Sequence, residues 1–199
     1  MKNWDVDIIT MSCGFYSWVE VVKEAIEEAY RKPTLIFAAA SNNGKRKQVA
    51  FPAYMPGVIC VNSSTANGTP SDFNPKFDAS RSLCILGENV TSTWITSQWH
   101  ERRMSGTSVA TPIAAAIAAL VHEFALQTDP ADESLDEILK QQLKWLKSYN
   151  GMMEIFALMA EPTGEYRTIF PWNVLSVDFE RGGVAHMIKV AMTKKFGKS

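Results

Sequence analysis

The chain has 199 residues, 46% hydrophobic and 21% charged, the composition of one globular domain with or without an appendage. Its 20 basic and 21 acidic residues leave a formal net charge of -1, which argues against nucleic acid or an anionic membrane as the main partner. The opening MKNWDVDIIT carries charge where a secretory signal has its apolar segment, and polar groups interrupt every apolar run short of about 18 residues, so the expectation is an intracellular protein with no membrane span.

In chain order, VDIITMS (6–12) is a short β-branched run that predicts a buried strand. SWVEVVKEAIEEAYRK (17–32) places Trp18, Val21, Val22, Ala25, Ile26 and Ala29 at helical spacing, with Ser17 as N-cap and Pro33 as stop. TLIFAAA (34–40) and GVICVN (57–62) predict two more buried strands, and residues 63–80 a loop rich in Gly, Pro, Asn and Ser. SLCILGENV (82–90) predicts another strand, and residues 107–125 a helix. Buried strands alternating with helices predict an α/β layer structure with a largely parallel sheet. From Thr128 to Pro162 no strand signal appears: a helix is expected from Asp132 or Ser134 to Tyr149, with Leu135, Ile138, Leu139, Leu143 and Leu146 on one face, then a second from Met152 to Ala160. RTIFPWNVLS reads as an extended piece around Pro171, and the basic tail from about 180 as frayed. The division expected is a domain part at 1–127 and a helical extension at 128–199.

Cys13, Cys60 and Cys84 sit in apolar runs without CxxC spacing and read as reduced, buried small hydrophobes. The sequons at Asn62, Asn67 and Asn89 read as chance, and Lys45-Arg46-Lys47 as a solvated loop. There is no G-x-S-x-G elbow, no phosphate loop and no metal-ligand spacing, so neither a cofactor nor a metal held by side chains is expected, and a cation on backbone oxygens near Ala53 stays open.

The chemistry-bearing stretch is MSGTSVATPIAAAIAAL (104–120). A serine in the first turn of a helix sits among unpaired backbone N–H groups, which favour negative charge. Such an N–H can hold an oxyanion while the hydroxyl attacks a carbonyl. The alanines let the helix lie close to the sheet, and Gly106 permits close chain approach. Alone, the Gly-Thr-Ser triplet reads as a helix cap.

SGTSVATP resembles the nucleophile segment of the subtilisin-like serine proteases, Gly-Thr-Ser-x-Ala-x-Pro. In the family's order, IITMSCG (8–14) resembles its substrate-binding strand, FAAASNNG (37–44) its Ala-Ala-Gly-Asn-x-Gly oxyanion loop, FPAYMPGVICVNSS (51–64) the strand that follows, and LGENVTST (86–93) its Pro-Gly-x-x-Val-x-Ser. The resemblance covers roughly residues 4–125, and fungal intracellular proteins of this type are closest in texture. It implies a partial three-layer subtilisin-like fold with a mostly parallel sheet and an α-rich C-terminal tail. It implies Ser108 as nucleophile, and Asn42 with the Ser108 N–H as oxyanion donors. Ser12, Cys13 and Gly14 would hold an extended peptide or protein substrate. Ser41 stands where the family has glycine.

A serine nucleophile needs a base, and the base an orienting carboxylate. In the family both motifs precede the substrate-binding strand, so the expectation is that the N-terminal half of the catalytic domain is missing. His122 lies 14 residues along the same helix from Ser108. At about 1.5 Å per residue that is roughly 21 Å, out of reach. His100 reads as a loop histidine, His186 as a tail residue, and Asp5 and Asp7 as surface groups. The expected function is a serine endopeptidase present as a fragment. The alternatives are an inactive remnant that binds peptides and an unrelated α/β ligand-binding domain. The fragment would be poorly soluble or dimeric through an open sheet edge.

Overall fold

The computed structural model describes residues 5–76, 83–95, 100–127 and 143–196. Four strands form a parallel sheet: β1 (Ile8–Met11), β2 (Leu35–Ala39), β3 (Val58–Ser64) and β4 (Leu83–Leu86). Helix α1 (Glu20–Tyr30) connects β1 to β2, and α2 (Thr107–Leu126) follows a two-stranded hairpin, β5 (Val90–Thr93) with β6 (Glu101–Met104). After a helical turn at 143–146 come α3 (Tyr149–Met159), β7 (Ala160–Thr163), β8 (Tyr166–Ile169) and α4 (Arg181–Phe196). The sheet order is β1-β2-β3-β4-β8-β7, parallel except for the last pair.

β2 and β3 are buried along their whole length because each has a strand on both sides and a layer on both faces. Strand alternation divides their side chains. Leu35, Phe37, Ile59 and Val61 face α2 and its alanines Ala110, Ala114 and Ala118. Ile36, Ala38, Val58 and Cys60 face Ile26 and the loop residues Phe51, Ala53 and Met55. Small side chains bring α2 down across β1 to β4. By length and composition α2 could cross a membrane, with mean hydropathy 1.7, but half of that window is buried inside the protein.

The structure corrects several expectations. Ser17 does not cap α1: the helix starts at Glu20, and Val19 occupies the cap without a side-chain bond. Only Ile26 of its six-residue apolar stripe is buried, and Val21 is 73% exposed. β7 begins within the stretch read as free of strands, whereas the extended piece expected around Pro171 starts as β8, which pairs with β4 while β7 returns antiparallel. The tail from 180 is a helix whose Val184, Ala185, Ile188 and Ala191 join the core with α3. α3 begins at Tyr149, capped by the Ser148 hydroxyl, which accepts the Gly151 N–H. The helix expected from Asp132 or Ser134, with Leu135, Ile138 and Leu139, lies outside the described residues apart from its end at 143–146. Cys60 and Cys84 are buried, and burial pushes the Cys84 thiol well up, whereas Cys13 is exposed. Asn62 is fully buried in β3, so that sequon is closed to modification.

Candidate active site

The switch from loop to helix at 106–108 is built by close backbone approaches. Gly106 has φ 154°, a region that favours glycine, and its N–H donates to the Gly87 carbonyl at 2.8 Å. A Cβ on Gly87 would stand 2.6 Å from Ser63 Oγ and 2.9 Å from both the Gly106 carbonyl and the Ala110 Cβ. Glycine at 87 is thus what lets the end of β4 touch the start of α2.

The first N–H groups of α2 have separate fates. Thr107 N–H donates to Asn42 Oδ1 at 2.8 Å, and the Thr107 hydroxyl donates to the same oxygen at 3.0 Å. Val109 and Ala110 N–H both reach the Gly106 carbonyl. Among the described residues the Ser108 N–H alone in this turn has no acceptor. Because two donors fix Asn42 Oδ1, the amide must turn its Nδ2 the other way. That nitrogen lies 3.0 Å, and Ser108 Oγ 3.2 Å, from the space a Cβ on Gly106 would fill. A hydroxyl and two free N–H donors, one from Asn42 and one from Ser108, therefore sit at the mouth of the helix.

Pro112 adds a constraint from the opposite side. Lying four residues after Ser108, it has no N–H to offer the Ser108 carbonyl, which would be left without its helical donor. Ser12 fills that vacancy: its hydroxyl donates to the Ser108 carbonyl at 2.8 Å. Ser12, Cys13 and Gly14 follow β1 directly and line a cleft of about 220 Å³ with Asn42 and Ser108. All five residues singled out from the sequence thus meet at one place. Thr107, Gly87 and the Ser12 hydroxyl were not singled out. Thr107 was in view inside the Gly-Thr-Ser triplet, and Gly87 inside LGENV.

The histidines do not join them. His122 is buried, donating from Nε2 to the Leu146 carbonyl at 3.3 Å, and burial holds its pKa below the ordinary 6.5. His100 begins the return arm of the β5–β6 hairpin, and His186 lies exposed on α4. Asp7 is exposed and pairs with Lys147 at 2.6 Å. No hydrogen bond links Ser108 Oγ to a histidine or carboxylate among the described residues. No group of metal-ligating side chains occurs among those residues either.

Ser41 shows what the departure from glycine entails. It keeps the glycine-like φ of 145° despite its side chain. Its hydroxyl accepts weakly from the Asn43 N–H and Nδ2, both at 3.4 Å.

Comparison with known proteins identifies the family and the fold. The profile of the subtilase family matches residues 1–152. The minor extracellular protease Epr of Bacillus subtilis (strain 168) is 32% identical over 146 residues, which is 71% of this chain and 21% of that protein. The major intracellular serine protease of the same organism is 29% identical over 145 residues, 70% of this chain and 44% of the relative. The chain therefore spans less than half the length of either. Among solved structures, the self-cleaved protease domain of PatA aligns with TM-score 0.65 at 22% identity, over 94% of this chain and 63% of that one. The prenylagaramide maturation protease PagA aligns with TM-score 0.62 at 21% identity, over 92% of this chain and 62% of that one. These likenesses show the fold, a mixed, mostly parallel sheet between helices. With the profile covering most of the sequence and its motifs gathered in one cleft, the chain belongs to the subtilase family.

Proposed function

We propose that the chain supplies the nucleophile half of a serine endopeptidase, cleaving peptide bonds through an acyl-enzyme. Ser108 Oγ attacks the scissile carbonyl, and the oxyanion forms between Asn42 Nδ2 and the Ser108 N–H. Ser12, Cys13 and Gly14 border the cleft and hold the substrate extended, as an added strand. The base and its carboxylate come from sequence that precedes these blocks in the family, so the chain by itself is expected to be inactive. The observation that carries the reading is the double anchoring of Asn42 Oδ1 by Thr107, which leaves Nδ2 free beside Ser108 Oγ.

The native transcript upstream of Met1 tests it. A reading frame that continues into Asp-x-Gly and His-Gly-Thr segments is expected, and the longer protein should be labelled by a fluorophosphonate at Ser108. In that protein Asn42→Ala should lower kcat by about 10²–10³, the usual effect of losing one oxyanion donor. A stop codon in frame just before Met1, together with no labelling, would leave the second reading: an inactive subtilase-like domain that binds peptides. That reading is favoured by the bare Ser108 hydroxyl, which has no base among the described residues.

A further inference from the structure

Beside the cleft the surface changes character. Lys45, Arg46, Lys47 and Lys76 line one depression of about 670 Å³ with Tyr54 on its wall, and among the described residues no carboxylate lines it. All four cations are exposed, and none forms an ion pair among the described residues. In a chain of net charge -1 this is a local concentration of charge, and its mutual repulsion is relieved when an anion binds. The cations are also held in place. Lys47 N–H donates to the Gly44 carbonyl at 3.1 Å, Lys76 N–H to the Lys47 carbonyl at 3.3 Å, and Gly44 N–H to the Phe73 carbonyl at 2.8 Å. Two clamped segments thus present four positive charges side by side.

This depression is physically joined to the cleft. Lys47 Nζ sits over the Tyr16 ring, 5.5 Å from its centre, and the Tyr16 hydroxyl accepts from Asn43 Nδ2 at 3.1 Å. Tyr16 and Asn43 both line the cleft that holds Ser108. The geometry points to a docking surface for an acidic stretch of polypeptide, entered from the cleft across Tyr16. This inference rests on reading the cleft as a peptide site. Arg46 can grip a carboxylate through two parallel N–H donors, and the lysines act as point charges. Polypeptide is favoured over nucleic acid because the aromatic ring of the depression is already engaged. Tyr54 stacks with Trp18 at 6.4 Å and tilts against Phe51 at 5.7 Å, so one face of the ring is already covered and the platform for a base is reduced.

The test uses the whole chain and two fluorescein-labelled peptides followed by anisotropy. Both share one extended apolar segment; one continues into a run of glutamates, the other into glutamines. The glutamate peptide should bind about tenfold tighter at low salt, with the advantage fading as ionic strength rises above roughly 0.3 M. Replacing Lys45, Arg46 and Lys47 together by glutamine should remove the preference, and Lys76→Gln, on the other segment, should reduce it. Equal binding of the two peptides, or a preference that survives the triple replacement in a variant with an unchanged thermal melt, overturns the proposal. A single-stranded oligonucleotide of equal charge that binds more tightly overturns the choice of polypeptide. A persisting glutamate preference to which the apolar segment adds nothing supports the basic surface while counting against the cleft as a peptide site.

Discussion

At the level of single residues, the cleft depends on a few side chains that satisfy backbone groups others have vacated. Ser12 is the plainest case, since its hydroxyl replaces a donor that Pro112 cannot supply. Ser12→Ala should leave the Ser108 carbonyl to water and destabilise the chain by about 0.5–1.5 kcal/mol, measured by urea unfolding. Ser12→Thr keeps the hydroxyl and should lose less. Ser41 carries the opposite kind of signature. Its φ of 145° is strained for a residue with a Cβ, so Ser41→Gly should raise stability by about 1 kcal/mol, seen as a higher Tm. A lower Tm for Ser41→Gly would mean that its weak bonds to Asn43 outweigh the backbone strain.

Among the elements, those legible in the sequence were the ones whose surroundings repeat. β2 and β3 are apolar on both faces because both faces are covered, and continuous apolar runs are readable. α2 was readable from its alanines. The hairpin of β5 and β6 was not, since VTST and ERRM are almost wholly exposed and carry no alternation. β7 reads AEPT, with a proline that argues against a strand, and it is tolerated because β7 is an edge. α4 looked frayed because two glycines open it and its polar and apolar residues mix, yet Arg181 anchors its start by donating to the carbonyls of Phe124 and Gln127 at the end of α2. The site was legible where a motif fixed the chemistry, at Ser108 and Asn42. It was not legible where the role belonged to a backbone approach, at Gly87, or to a partner far along the chain, at Thr107. Asn74 is an element-scale case of the second kind: buried, it accepts the Ser63 N–H at 2.9 Å and donates to the Ser63 carbonyl at 2.8 Å, as a neighbouring strand would. Asn74→Ala should cost about 1–3 kcal/mol, measured by urea unfolding, because the buried Ser63 N–H loses its acceptor while the Ser63 carbonyl keeps the Ser71 N–H at 2.9 Å.

For the molecule as a whole, His122 ties α2 to the 143–146 turn and couples stability to pH. Burial disfavours its charged form, so the unfolded chain binds the proton more readily than the folded one. Stability is therefore complete above about pH 6.5 and falls as pH drops from there toward the lower folded value. Thermal melts between about pH 7 and pH 5 should show this decline, and His122→Gln, which keeps a donor for the Leu146 carbonyl, should flatten it. A slope unchanged in that variant would assign the effect to other groups.

The two borders of the sheet differ in kind. β7 ends it with Glu161 and Pro162, a charge and a missing N–H, while β1 ends it with IITM, which pairs only with β2 among the described residues. Sedimentation should therefore show a dimer, and Thr10→Lys on the exposed position of β1 should shift it to monomer. A stopping rule is written into this asymmetry. Copies that meet through β1 use up the one receptive border this sheet has among the described residues, and the joined sheet has none to offer a third. Growth ends at two, by symmetry, where a sheet with two open borders would go on to fibres.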